Sequence, residues 1–147
     1  MRRLALCLFL LALASANCAA QQEPVPVLKE RAEKASPEVC SQLCIQIAER
    51  QLRVADKLYN EGHDEEARAA VDDIVSYSER ARDAAIQTKK RLKNVEIDIR
   101  KMSERLRDLK RTLAFEDQPP VEQAVRRLED IRTALLKEMF SNKKEKK

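Results

Sequence analysis

Apolar and small residues recur at every third or fourth position between residues 64 and 115. The series is Ala67, Val71, Ile74, Ser78, Ala81, Ala85, Thr88, Leu92, Val95, Ile99, Met102, Leu106, Leu109 and Leu113. Its steps alternate between four and three residues, which is the heptad spacing of a helix packed against other helices. Because neither Gly nor Pro interrupts this stretch, we predict one helix over residues 64–115, on the order of 75 Å long.

Two shorter amphipathic segments flank this helix. The first begins after Ser36, an N-cap residue followed by Pro37, and runs to residue 60. The second begins at Pro120, after the helix-breaking Pro119, and runs to residue 140. Its apolar stripe is Val121, Val125, Leu128, Ile131, Leu135 and Met139. We therefore predict an all-α fold of elongated, coiled-coil-like helical hairpins, in which helices 37–60 and 120–140 cover the central helix.

The turn between the first two predicted helices reads LYNEGHDEEA from Leu58 to Ala67. Gly62 suits the left-handed conformation that closes a helix, and the acids after it suit the start of the next one. This run resembles the turn of a tetratricopeptide repeat, with its L-Y-x-x-G-x-x-x-E-A pattern. Over residues 47–81 the resemblance implies an antiparallel helix pair and protein–protein contact. No second copy follows about 34 residues later, so we predict no repeat array.

The first 20 residues have the organisation of a secretory signal peptide. Two arginines precede an apolar run over residues 4–14, and small residues follow it. Cleavage after Ala16 or after Ala20 fits this pattern equally well. Cys18 is a candidate for lipidation, although Ser15 and Asn17 depart from the usual bacterial lipoprotein motif. We expect an exported protein of the periplasm or cell envelope, or a secreted one, with membrane attachment only if Cys18 is lipidated.

Composition supports a helical protein and argues against a sheet enzyme. The 147 residues include one Gly and no Trp, and 37% are charged. Of the formal net charge of +4, two charges belong to the leader and a net three to residues 141–147, which leaves about −1 for the body. This removes the simplest support for nucleic-acid binding. Around a helical domain over residues 37–140 we predict a linker at 21–36, where residues 28–35 favour a short helix, and a disordered basic tail at 141–147.

Candidate chemistry is sparse. Cys40 and Cys44 share one face of a helix as a C-x3-C pair, which fits either two core thiols or a disulfide, within the chain or to a second chain. His63 is the only histidine, and it is predicted to lie in a turn about 35 Å along the helix from Cys40, too far to share a metal ion. No nucleotide-binding loop or nucleophile motif occurs. We therefore predict no catalytic, cofactor-binding or metal-binding residues.

These expectations lead to a functional hypothesis. We expect an exported, non-enzymatic helical scaffold or protein-interaction protein of the bacterial envelope. Its partner would be another protein, or a second copy bound through the seam of the central helix. The alternative is a periplasmic chaperone or stress adaptor similar to the small Spy-like chaperones in size, export and charged helices. The L-T-x-x-Q motifs of that family are absent from this sequence.

Overall fold

The computed structural model describes residues 23–144, and the side chains of residues 23–141. All regular structure in this part is helical, which confirms the predicted all-α class. The helices are α1 (Val25–Lys34), α2 (Pro37–Asn60), α3 (Asp64–Thr88), α4 (Leu92–Thr112) and α5 (Gln118–Lys144), with one turn of 3₁₀ helix at Phe115–Asp117. Over these residues no helix combines the length and the apolar character needed to cross a membrane. The predicted signal peptide lies outside the described residues.

The turn between α2 and α3 follows from its sequence. Gly62 has φ of 76°, in the left-handed region that glycine adopts without a steric penalty. The amide of His63 donates to the carbonyl of Leu58 at 2.9 Å, which satisfies one of the last carbonyl groups of α2. Three acids, Asp64, Glu65 and Glu66, then occupy the first turn of α3, where the helix dipole favours negative charge.

The predicted central helix over residues 64–115 is wrong, because the chain turns back at residues 89–91. Lys89 and Arg91 have φ of 56° and 60°, and between them the helical hydrogen bonding is interrupted. Thr88 and Leu92 are nevertheless four residues apart, so the apolar series keeps its spacing on both sides of the turn. The heptad pattern therefore identified the core-facing positions correctly but did not reveal the reversal. We call residues 89–91 the hinge turn.

The helices form two antiparallel hairpins. In the first hairpin, α2 and α3, the side chain of Gln51 donates to the carboxylate of Asp73. In the second hairpin, α4 and α5, the Ser103 hydroxyl donates to Glu129 at 2.6 Å. Helix 120–140 therefore covers the second half of the predicted central helix, as expected, and α2 covers the first half.

The two hairpins lie side by side and point the same way, rather than end to end. Three ion pairs link α3, or the residue just after it, to α5, or the residue just before it. Each spans 48 or 49 residues, so these two helices run parallel: Arg68–Asp117, Glu79–Arg127 and Lys89–Glu138. Next to them α2 and α4 also run parallel, with Glu38 and Lys90 paired at their starting ends at 2.8 Å. The order around the bundle is therefore α2, α3, α5, α4.

The described parts of the predicted linker and tail are more helical than expected, and α1 extends the short helix predicted at 28–35 toward the N-terminus. The segment at 21–36 contains α1, whose Leu28 and Ala32 are buried in the same core as the hairpins. Lys29 of α1 pairs with Asp73 of α3 at 2.6 Å, which places α1 against the first hairpin. At the other end α5 continues to Lys144, four residues into the segment predicted to be disordered.

The cores of the two hairpins differ in residue size. The first contains many small side chains beside larger ones such as Ile47, Leu52 and Ile74; the small ones include Cys44, Ala48, Ala55, Ala67, Ala70, Ser78, Ala81 and Ala85. The second is filled by larger ones: Leu92, Val95, Ile99, Met102, Leu106, Val121, Leu128, Ile131 and Leu135. Small residues allow two helix backbones to approach closely, whereas large ones fill more volume between them.

Candidate functional site

Two surface depressions lie between the parallel helices α2 and α4. One is formed near the start of both helices by Ser41, Gln42, Ile45, Gln46, Glu49, Arg91, Val95 and Asp98. The other is formed near their ends by Leu52, Asp56, Arg105, Asp108, Leu109 and Thr112. From Ser41 to Asp56 they follow about 22 Å of α2. We call this strip of surface the α2/α4 groove.

The floor of the groove is apolar and its walls are polar. Ile45, Leu52, Val95 and Leu109 form the floor, and all four are almost completely buried by their own neighbours. The surface that remains accessible is divided about evenly between polar and apolar atoms. Such a surface suits a partner that offers hydrogen bonds and charges, rather than a small apolar ligand that needs a deep cavity.

Charges of both signs line the groove walls. Glu49 on α2 and Arg105 on α4 make no ion pair with any described side chain. Partial burial raises the pKa of Asp98, while Lys101 and Arg91 act in the opposite direction. Lys101 is 4.0 Å from the Asp98 carboxylate. The groove therefore offers unpaired groups of both signs to a partner.

On the opposite side of the bundle, the seam between α3 and α5 also holds a depression, lined in part by Asp72, Gln123 and Arg127. Ion pairs cross this seam. Arg68–Asp117, Glu79–Arg127 and Lys89–Glu138 bridge it at its two ends and in its middle. Between the described residues of α2 and α4 no ion pair exists; the pair Glu38–Lys90 joins α2 to the hinge turn, just as Lys89–Glu138 joins α5 to it. The α2/α4 seam therefore differs from the α3/α5 seam in having no ion pair between the two helices themselves, whereas both seams hold depressions.

A third depression carries four cations on the outer face of the second hairpin, but each of them is paired. Arg107 contacts Glu129, Arg111 contacts Asp108, and Lys110 and Arg126 both contact Glu122: the distances are 2.9, 2.7, 3.3 and 2.6 Å. Hydrogen bonds from Arg126 and Lys110 lower the pKa of Glu122. Because neighbouring carboxylates already satisfy these cations, the depression does not form a free anion site.

The structure brings Cys40 and Cys44 together, with 3.4 Å between the two sulfur atoms. Cys44 is fully buried and Cys40 is half-buried, and both are free thiols in the structure. Burial raises the pKa of the Cys44 thiol to about 12, and its hydrogen bond with Cys40 acts in the same direction. At neutral pH Cys44 is therefore protonated, which makes it a poor nucleophile and a poor metal ligand.

The other predicted candidates do not combine into a site. His63 lies exposed in the turn before α3, with Nδ1 4.0 Å from a carboxylate oxygen of Glu66. In the part of the chain that the structure describes, no three potential metal-ligating side chains cluster together. Cys18 lies outside the described residues.

Sequence reasoning did not find the α2/α4 groove, because no local pattern encodes it. Residues of α2 and α4 in the groove are more than 45 positions apart, and only the hinge turn brings them together. Comparisons with protein-family models, curated proteins and solved structures give no match for this chain. The geometry of the bundle itself must therefore support any functional assignment.

Proposed function

We propose that this chain is an exported, non-enzymatic protein-interaction module of the bacterial envelope. In this proposal the α2/α4 groove binds an extended segment or a helix of a partner protein. The observation that carries it is the parallel α2/α4 seam, where no ion pair joins the described residues of the two helices and where Glu49 and Arg105 line the depressions. A partner segment with complementary charges would pair with both helices at once.

The arrangement of the hairpins supports this proposal. Successive helix pairs that stack in the same direction are the building principle of α-solenoids, which present extended surfaces to their partners. The resemblance of residues 47–81 to a tetratricopeptide hairpin agrees with such a role. The large exposed apolar side chains come from four elements: Val27 from α1, Val39 and Val54 from α2, Phe115 from the 3₁₀ turn and Phe140 from α5. Scattered apolar residues favour a polar, specific partner over the unfolded clients of a chaperone.

In-cell photocrosslinking tests the groove directly. A photoreactive amino acid at Gln46, within the groove, should capture one defined partner. The same amino acid at Asp130, on the exposed face of α5, should not. Capture of the same protein from both positions would contradict a groove-specific contact.

Charge reversal then measures the groove's contribution to affinity for the captured partner. The double variant Glu49→Lys, Arg105→Glu keeps the net charge and should weaken binding roughly tenfold or more, because both wall charges become repulsive. The matched control is Asp130→Lys, Lys137→Glu on α5, which also keeps the net charge and should bind normally. Equal affinities for the two variants would contradict the proposal. Stoichiometric protection of unrelated aggregating proteins by all variants would instead favour the chaperone alternative.

A further inference from the structure

The hinge turn holds its backbone in a conformation that its residues disfavour. Lys89 and Arg91 are the non-glycine residues with positive φ among those described. In this region the β-carbon of an L-residue crowds its own backbone, so glycine or asparagine normally occupies such positions. Lys and Arg carry long side chains and have no short polar group that could bond locally. Tertiary packing must therefore hold this turn closed.

The same residues are well suited to a continuous helix. From Asp64 to Thr112 there is no Gly and no Pro, and Lys and Arg are good helix formers. Ala85, Thr88, Leu92 and Val95 keep the heptad spacing across the turn. If residues 89–91 became helical, α3 and α4 would join into one helix without disturbing the core-facing positions of either.

Straightening within a single chain would separate the hairpins, but a second chain can restore every contact that is lost. The ion pairs between α3 and α5, and the packing of α2 against α4, involve residues on different hairpins. The second hairpin of another copy presents the same surface to the first hairpin of this one. Short hinge loops under strain favour such an exchange between identical chains.

We propose that two copies of this chain form a domain-swapped dimer in which the hinge turn is helical. Each chain then has one continuous helix from Asp64 to Thr112, and its second hairpin packs against the first hairpin of the other chain. The groove is re-formed from α2 of one chain and α4 of the other, so this proposal does not depend on the proposed function.

Exposed apolar side chains next to the hinge turn support this dimer. Val39 follows Glu38, which pairs with Lys90, and Phe140 lies two residues after Glu138, which pairs with Lys89. Val39 is 49% exposed and Phe140 is 62% exposed. In the swapped dimer the two halves of the bundle meet end to end at this position, which covers both side chains.

The cations of the two hinges also approach each other there, so added salt should favour the dimer.

Hinge variants test the role of backbone strain. The purified protein, refolded at millimolar concentration, should give a dimer by light scattering, and at high dilution a monomer. The double variant Lys89→Gly, Arg91→Gly relieves the strain of the closed turn and weakens the continuous helix that the dimer needs at residues 89–91. Because two hinge turns re-form when one dimer dissociates, the variant should shift the monomer–dimer equilibrium roughly a hundredfold or more toward monomer. The control Lys89→Ala, Arg91→Ala removes the same charges but keeps the strain, and should dimerise at least as well as the native protein. A native protein that stays monomeric at all concentrations overturns the proposal, as does an equal loss of dimer in both variants.

Distances between spin labels identify the swap itself. Ala69→Cys and Thr112→Cys, in a background where the four native cysteines Cys7, Cys18, Cys40 and Cys44 are replaced by Ala, place labels on exposed positions of α3 and α4. Co-refolding with an excess of unlabelled protein leaves only distances within one chain. A continuous helix separates the labels by about 65 Å, whereas the closed bundle holds both at the same end. The long distance in the dimer fraction supports the swap, and a short distance there shows an ordinary association of closed chains and overturns it. Circular dichroism of the labelled protein verifies that it is folded.

Discussion

The turns before and after α3 both contain residues in the left-handed backbone conformation, but the residue types are very different. At the first turn Gly62 has φ of 76°, and its conformation needs no support from the rest of the fold. At the hinge turn Lys89 and Arg91 have φ of 56° and 60°, although both residues disfavour these values. The first turn is thus specified locally, whereas the second depends on the packing of one hairpin against the other.

This difference shows which part of the fold local sequence stabilises and which part depends on contacts between the hairpins. The first hairpin is closed by its own sequence and is further fixed by Asp73, which accepts from Gln51 of α2 and from Lys29 of α1. The association of the two hairpins lacks such local support. It should therefore be the part of the architecture that responds most to concentration, salt and substitution.

The largest expected effect tests whether the two hairpins nevertheless unfold together. Ile74 of the first hairpin and Leu128 of the second are both fully buried. Replacing either by Ala should lower the free energy of unfolding by about 2–5 kcal/mol. Both tyrosines, Tyr59 and Tyr77, lie in the first hairpin. Their fluorescence therefore reports that hairpin and, because Tyr59 lies near Asp117, one end of its contact with the second, while far-ultraviolet circular dichroism reports all helices. The two signals should change at one denaturant midpoint in each variant.

This expectation would be contradicted if Leu128→Ala lowered the denaturant midpoint measured by circular dichroism but left the midpoint measured by tyrosine fluorescence unchanged. It would show that the first hairpin is an independent folding unit. The hinge turn would then connect two domains rather than two halves of one core.

The next prediction is that substitutions in the two turns change the free energy of unfolding in opposite directions. Gly62→Ala should destabilise the closed monomer by about 1 kcal/mol through backbone strain alone, because a β-carbon there would meet no atom within 4 Å. Lys89→Gly should instead stabilise it by about 1 kcal/mol or less, because glycine accepts the left-handed conformation. Denaturant unfolding of dilute protein measures both changes. Gly62→Asn and Lys89→Ala are the controls, and each should change stability less than its partner variant. Because both Lys89 variants lose the ion pair with Glu138, lower stability of Lys89→Gly than of Lys89→Ala would show that the hinge turn is not strained.

The smallest effect concerns a polar contact inside the second hairpin. The hydrogen bond from Ser103 lowers the pKa of Glu129 below its ordinary value of 4.5, and Arg107 acts in the same direction, against the effect of partial burial. A carboxyl group whose pKa is lower in the folded protein than in the unfolded one stabilises the fold at pH values above its unfolded pKa. This contribution is lost as the pH falls through its folded pKa. Stability should therefore drop below about pH 4.5, and Glu129→Gln should make this drop shallower. An unchanged acid profile in the variant would show that Glu129 does not contribute.

Local sequence signals predicted much of the fold. The helix predicted over residues 37–60 matches α2, and the prolines after residue 118 mark the start of α5. The single glycine, Gly62, correctly predicted the turn between α2 and α3. The hinge turn could not be predicted, because its residues favour a helix and Thr88 and Leu92 keep the heptad spacing. The α2/α4 groove was missed for the same reason, since it exists only when the chain turns back at that point.

The most direct test of the closed bundle is the distance between spin labels at positions 69 and 112 in the monomer. We predict a short distance, because Arg68 and Asp117 pair at 2.8 Å and place the start of α3 beside the end of α4. A monomer whose labels lie about 65 Å apart would have one straight helix over both segments. That result would contradict the reversal at residues 89–91, and with it the groove.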